Sequence, residues 1–257
     1  MNVDKHYNNY IEDGRLEKDL QHKTEFILTN YWIDKYLKKG MNILEIGAGT
    51  GAYSLMFAKK GYQVDSLELV QHNLDILKSK ITSDMNINTV QGNALDMSMY
   101  NDDTFDVVLC LGPLYHLENE NRKKCIKEAI RVCKPNGYLF FAYISNCLTF
   151  VQAIDKYDNY LLESRSEFND KFELRDNNNV FTYSMPEQIE KIMQDFNIIK
   201  LNHVSLDGVT RLIKNKVNSF SKEEFELWID YLKATSEIQS ILGYSEHIMY
   251  IGKKQEN

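Results

Sequence analysis

Proline and cysteine are scarce in this chain, with three prolines and four cysteines in 257 residues. Cys110, Cys125, Cys133 and Cys147 include no C-x-x-C pair, and the first and third fall on expected apolar faces. Buried free thiols are therefore expected, rather than disulfides or metal ligands. No H-x-x-x-H pattern and no carboxylate pair stands in the expected crevice loops, so no metal is expected. No stretch approaches the roughly 18 apolar residues of a membrane span, and no leader-like run follows Met1-Asn2-Val3-Asp4. A cytoplasmic protein without a membrane partner is the expectation. Positive charge is also in short supply: Lys and Arg total 30 against 37 Asp and Glu, a net charge of −7. That balance argues against a nucleic-acid partner, whose phosphates require a basic surface. The short cluster Arg122-Lys123-Lys124 reads as a solvated helix face. Internal repeats and low-complexity tracts are lacking too.

What is present is 43% hydrophobic composition, enough for one large core, and a single domain over 1–257 is expected. The most informative stretch is Ile43-Leu44-Glu45-Ile46-Gly47-Ala48-Gly49-Thr50-Gly51-Ala52, an apolar strand turning through three closely spaced glycines into a helix. Gly47, Gly49 and Gly51 remove side chains where the backbone must bend sharply and where a ligand must approach main-chain N–H groups at a helix start. The spacing also satisfies the G-x-G-x-x-G/A pattern of dinucleotide sites. Glu68 ends the next strand-like run 21 residues past Gly47, where either kind of site places a carboxylate for ribose hydroxyls. Glu45 separates the two. A carboxylate inside an apolar strand needs a partner; it would repel a pyrophosphate and attract a cationic amino-acid group, directly or through water.

Glu45-Ile46-Gly47-Ala48-Gly49-Thr50-Gly51 resembles the E/D-x-G-x-G-x-G signature of class I S-adenosylmethionine-dependent methyltransferases. The resemblance continues along the chain. Val70, Leu74, Leu77 and Ile81 share one face of a helix after Glu68-Leu69. Ile87 to Gln91 then leads into Gly92-Asn93-Ala94-Leu95-Asp96, similar to the family's adenine-side G-D-A-x-x-L loop with Asn93 in place of Asp. Asn93 and Asp96 are both candidates for the adenine edge. Phe105 to Leu111 resembles the fourth strand, and the Gly112-Pro113-Leu114-Tyr115-His116-Leu117 loop after it should face the same crevice. A helix over 118–134 stops at Pro135-Asn136-Gly137. The strand over 138–144 is the fifth. Ser184-Met185-Pro186-Glu187 reads as a capping box before a further helix, Asn197 to Ser205 as a strand, and His247 to Lys253 as the antiparallel last strand.

The resemblance implies an α/β fold: a doubly wound, Rossmann-like, seven-stranded and mostly parallel sheet with an antiparallel last strand, helices on both faces and helical lid insertions. Within it, 1–40 form an N-terminal arm and helix, with Leu16, Leu20, Ile27 and Tyr31 spaced for one face and Tyr7 and Tyr10 over the cofactor. Residues 41–145 form the cofactor core. Insertions 146–183, with the polar loop Arg175 to Asn179, and 206–246, with a capping box at Ser221, cover the acceptor pocket. S-adenosyl-L-methionine is the implied cofactor, bound by Glu45, Gly47, Ala48, Gly49, Gly51, Glu68, Leu69, Asn93, Ala94 and Leu111. His116 is the expected base or acceptor-orienting group, and Tyr115 shapes the pocket beside it. Arg15 and Arg211 fall in lid segments suited to an anionic acceptor or to surface ion pairs. The loop after the fourth strand departs from the N/D-P-P-Y/F of base-modifying enzymes, so the expected activity is methyl transfer to a small-molecule N, O or C nucleophile by a monomer or homodimer. A protein or RNA acceptor, a non-catalytic S-adenosylmethionine-binding protein and an NAD(P)-dependent oxidoreductase are the alternatives.

Overall fold

A computed structural model describes residues 6–7, 12–174 and 180–256, the side chain of Asn119 excepted; Tyr10 and the polar loop Arg175 to Asn179 lie outside the described residues. Segments of five to thirteen residues form the strands β1 (Asn42–Ile46), β2 (Gln63–Glu68), β3 (Ile87–Gln91), β4 (Phe105–Cys110), β5 (Cys133–Ser145), β7 (Ile198–Ser205) and β8 (His247–Lys254). A two-residue strand, β6 (Tyr183–Ser184), completes the set. The sheet runs β3-β2-β1-β4-β5-β8-β7, parallel except for β8, which is antiparallel to both β5 and β7. β6 adds an eighth strand to the expected seven. It pairs with Ile144 and Ser145, past the point where β4 has ended at its Cys110–Phe141 pair.

Because strand side chains alternate, β1 sends Leu44 and Ile46 to one face and Ile43 and Glu45 to the other. Leu44 and Ile46 join a core with Cys125, Ile126 and Ala129 of the helix α4 (Asn119–Val132). Ile43 joins a second core with Leu28 and Trp32 of α1 (Leu20–Asp34) and Phe57 of α2 (Ala52–Lys59). That core also takes Phe225 and Ile229 of α9 (Lys222–Thr235). Helix α3 (Gln71–Ser79) packs Leu74 and Leu77 on Ala48, and α7 (Pro186–Met193) adds Ile189 and Met193 to the first core. The insertions hold α5 (Asn146–Lys156), α6 (Tyr160–Glu163) and α8 (Lys214–Val217). Among the described residues no helix is long and apolar enough to cross a membrane.

Three local expectations are corrected. The helix expected over 118–134 ends at Val132, because Cys133 already pairs with Phe105 and the Pro135-Asn136-Gly137 turn lies inside a bulged strand. Gly137 is required there: a Cβ would sit 2.6 Å from Cys133 Sγ and 2.9 Å from Asp106 O. Ser184 is not the cap of α7. Its hydroxyl instead accepts from Arg122 Nη1 at 2.9 Å, while Gln188 Oε1 accepts from Met185 N at 2.8 Å and caps the helix one residue later. Finally, Leu16 lies in the preceding 3-10 turn Arg15–Glu17, and Leu20, Ile27 and Tyr31 of α1 are only partly buried against the second core. The buried residues of α1 are Gln21, Thr24, Glu25, Leu28, Thr29, Trp32 and Ile33. An inner helix face this polar must look onto other polar groups. The capping box at Ser221 forms as expected, and all four cysteines are free, three of them buried.

Candidate active site

The strand order reverses between β1 and β4, and a crevice opens beyond their carboxyl ends, as in other open α/β sheets. Gly47, Gly49 and Gly51 all have positive φ, at 73°, 55° and 88°. They serve different purposes. A Cβ on Gly47 would lie 3.0 Å from two Pro113 ring carbons, so this glycine lets the Gly112 to Leu117 loop close against the turn. A Cβ on Gly51 would lie 2.2 Å from Leu77 Cδ1, so Gly51 seats α3. A Cβ on Gly49 would meet only Glu12 Cγ, at 3.8 Å, and would otherwise project into the crevice.

Glu45 is 2% exposed, and its carboxylate accepts from the Ser54 hydroxyl of α2, which in turn accepts from Ser66 at 2.7 Å. Burial pushes the Glu45 carboxyl up to about 8, against the pull of that hydrogen bond. Glu68 is held differently: Oε2 accepts from Gly49 N at 2.7 Å and Oε1 from Val70 N at 2.8 Å. Burial raises its carboxyl too, and those backbone donors counter the rise.

Three cavities join here. The first, about 510 Å³, is lined by Glu45, Gly47, Ala48, Gly49, Leu111 and Tyr115. The second, about 140 Å³, is lined by Glu68, Leu69, Asn93, Ala94 and His116 and shares Gly47, Gly49 and Tyr115 with the first. Thus all but one of the expected cofactor residues come together, Gly51 being the exception. Asn93 faces this crevice, with Oδ1 turned to Leu95 N at 2.9 Å, whereas Asp96 lines a separate surface hollow beside Arg131. His116 is engaged at both ring nitrogens, Nδ1 with Val180 O at 2.6 Å and Nε2 with the Tyr7 hydroxyl at 3.0 Å. It fastens the N-terminal arm to the first insertion. Arg122 braces the same loop from α4, donating to Leu114 O and to the Thr182 and Ser184 hydroxyls.

The third cavity, about 290 Å³, lies outward of the first and shares with it Glu12, Arg15, Tyr115 and His247. Its walls include Tyr7, Phe181 and Tyr183, with Tyr115 and Phe181 stacked at 6.3 Å. Arg15 donates to Glu12 at 2.9 Å and to Glu25 at 2.9 Å, and Arg211 pairs with Glu246. Both expected lid arginines therefore reach this cavity already paired with acids. Asp207, Glu246 and His247 converge beside them, their nearest ligand atoms within 4.8 Å of one another. No linear ligand spacing records this trio, because Asp207 comes 40 residues before His247. The one sequence signal was position: an antiparallel last strand begins at the edge where the parallel strands end.

Residues 44–141 match the family model described as a methyltransferase domain. The methyltransferase-named protein YqeM of Bacillus subtilis is 32% identical over 112 residues, 43% of this chain and 45% of its own. A ubiquinone biosynthesis O-methyltransferase of Stutzerimonas stutzeri is 29% identical over 116 residues, 44% of this chain and 49% of its own. The chain thus spans about half the length of the curated relatives it matches. Among solved structures, an S-adenosylmethionine-dependent methyltransferase of Methanosarcina mazei superposes with a TM-score of 0.60 at 16% identity, covering 88% of this chain and 98% of its own. One from Archaeoglobus fulgidus gives 0.59 at 15%, covering 90% and 94%. The glycine turn, its two flanking acids and the β1/β4 crevice thus lie on the segment, residues 44–141, that matches a methyltransferase domain.

Proposed function

We propose that this chain transfers the methyl group of S-adenosylmethionine to a small-molecule acceptor. The observation that carries the reading is the open space at Gly49, flanked by buried Glu45 and Glu68 and adjoining the outer cavity through shared walls. The residues present fit this cofactor better than a dinucleotide: Glu45 lies on β1 just before the turn with no cationic partner among the described residues, where an ammonium group would favour its carboxylate and a diphosphate would not. The similarity to ubiquinone biosynthesis O-methyltransferases favours a small acceptor over protein or RNA.

S-adenosylmethionine, when bound, supplies a methyl group on a sulfonium whose leaving thioether is neutral. The chain's own work is then chiefly alignment, worth several orders of magnitude in rate. Gly49 leaves room for the cofactor, Glu68 would hold the ribose hydroxyls and Asn93 the adenine edge. Leu69, Ala94 and Leu111 would exclude water. Tyr115 would separate cofactor from acceptor, with His116 fastening the loop that carries it.

The direct test is mass spectrometry after incubation with methyl-labelled S-adenosylmethionine and a metabolite extract. Label in a small molecule supports the reading. Label only in protein or RNA, or cofactor binding without transfer, replaces it, and thermal stabilisation by NAD(P)H alone overturns it.

Two binding experiments are more specific. Replacing Glu68 by alanine is expected to weaken S-adenosylmethionine binding by about 1.5–3 kcal/mol, the range for hydrogen bonds to a charged group; unchanged affinity by calorimetry removes Glu68 from the site. At pH 6.5 most Glu45 carboxyls are protonated, since burial places their titration near 8. An incoming ammonium favours the carboxylate, so binding at pH 6.5 should release close to one proton. Calorimetry in buffers of different ionisation heat reads this release, and Glu45→Gln should abolish it.

A further inference from the structure

Asp207 is 2% exposed and held on three sides: Oδ1 accepts from Glu246 N at 2.9 Å and His247 N at 3.2 Å and meets the Ser245 hydroxyl. Its other oxygen lies 2.9 Å from His247 Nδ1. A carboxylate fixed this firmly fixes the ring beside it. It favours the tautomer with the proton on Nδ1, which leaves Nε2 as a base. Nε2 has no hydrogen-bond partner among the described residues, and the ring lines both the 510 Å³ cavity beside the glycine turn and the 290 Å³ outer cavity. His247 reaches this junction because β8 runs antiparallel, placing its first residue opposite Ile144 at the carboxyl edge of the sheet.

We propose that His247 is the catalytic base of the methyl transfer, with Asp207 as its positioning residue, and that the acceptor is an aromatic hydroxyl compound. This rests on the methyltransferase reading above. Tyr7, Tyr115, Phe181 and Tyr183 line the outer cavity and give it aromatic walls suited to a planar acceptor, whose hydroxyl would then point inward at His247. In the step, His247 Nε2 takes the hydroxyl proton as the oxygen's electron pair forms the new O–C bond. The S–C bond pair leaves with the neutral thioether, and the imidazolium, paired with Asp207, returns its proton to water on product release.

The surrounding charges suit that cycle. Glu25 of α1 lies 3.5 Å from Nδ1, Glu246 lies 3.9 Å away, Arg15 neutralises Glu25 and Arg211 neutralises Glu246. Burial opposes protonation of the ring, but Glu25, Asp207 and Glu246 together outweigh it and hold the imidazolium above the ordinary 6.5. Turnover should therefore rise with pH, through a midpoint above 6.5.

The experiment compares catechol with 4-nitrocatechol, whose hydroxyl ionises unaided near neutral pH, as acceptors for the full chain and labelled S-adenosylmethionine. His247→Gln should lower catechol turnover about a hundredfold or more at pH 7, the usual scale of general-base assistance. With 4-nitrocatechol the loss should stay below about fivefold, and cofactor affinity should change little. Asp207→Asn should move the acidic limb of the pH profile to lower pH. Equal losses on both catechols overturn the base assignment. Cofactor binding with neither catechol methylated overturns the acceptor class while leaving methyl transfer standing, whereas failure to bind S-adenosylmethionine sinks the methyltransferase reading itself. Ring-nitrogen NMR gives a readout apart from activity: a neutral His247 protonated on Nε2 rather than Nδ1 overturns the proposal.

Discussion

Replacing Gly49 by valine is expected to remove S-adenosylmethionine binding, by at least about a hundredfold or ~2.7 kcal/mol, while leaving a folded chain. The geometry sets this apart from the neighbouring glycines. Gly49 has open space where its Cβ would be, so an added side chain displaces ligand rather than protein. The positive φ of 55° adds a conformational cost of about 1–2 kcal/mol in stability. Gly51→Ala provides the contrast, because its Cβ would overlap Leu77 Cδ1, and its larger effect should fall on unfolding. Calorimetric binding and urea unfolding of both variants separate the two. Undiminished affinity in Gly49→Val would mean that the ligand does not use this turn.

Removing the guanidinium from Arg15 is expected to have the largest effect on stability. Glu25 is buried, and although burial alone would raise its carboxyl, the charge of Arg15, followed by that of His247, holds it down to about 2. Arg15 and Glu25 are four-fifths or more buried, so solvent screens the pair weakly. Arg15→Met, which keeps the apolar stem, should cost about 3 kcal/mol at pH 7, as expected when one partner of a buried pair is lost. The pH dependence follows from the sign of the shift. A depressed carboxyl contributes stability that is fully present above its ordinary 4.5 and lost as pH falls toward 2. The deficit of Arg15→Met should therefore shrink between pH 5 and pH 3 in urea titrations, and Glu25→Gln should restore much of it. A deficit constant across that range would identify lost packing instead of lost charge.

The cofactor half of this site was legible in the chain because it is local. Glu45 to Gly51 are consecutive, Glu68 ends the next strand, and Gly112 to His116 follow β4, so strand order alone brings them to one crevice. Even there, a motif could not distinguish Gly49, which faces ligand space, from Gly51, which packs on Leu77. The outer half was not legible. Its charged groups come from the segment before α1, from α1, from the turn after β7 and from the start of β8, and no linear spacing records their meeting. Periodicity marked only part of α1's inner face. Its buried stripe also carries Glu25, paired with Arg15, and Thr24, whose hydroxyl donates to Leu20 O. His116 stood out in sequence for lying beside the crevice, yet its two nitrogens are committed to Val180 and Tyr7.

The matched segment 44–141 ends within β5, whereas Arg15, Glu25, Asp207, Arg211, Glu246 and His247 all lie outside it. The proposed grip on the methyl donor thus lies on one stretch of polypeptide, while most groups proposed to face the methyl recipient come from others, with Tyr115 lining both cavities. Under the proposed function, substitution in the outer stretches would change what is methylated without touching the glycine turn. Chimeras joined inside β5 are accordingly the natural units for transplanting acceptor choice between proteins of this architecture.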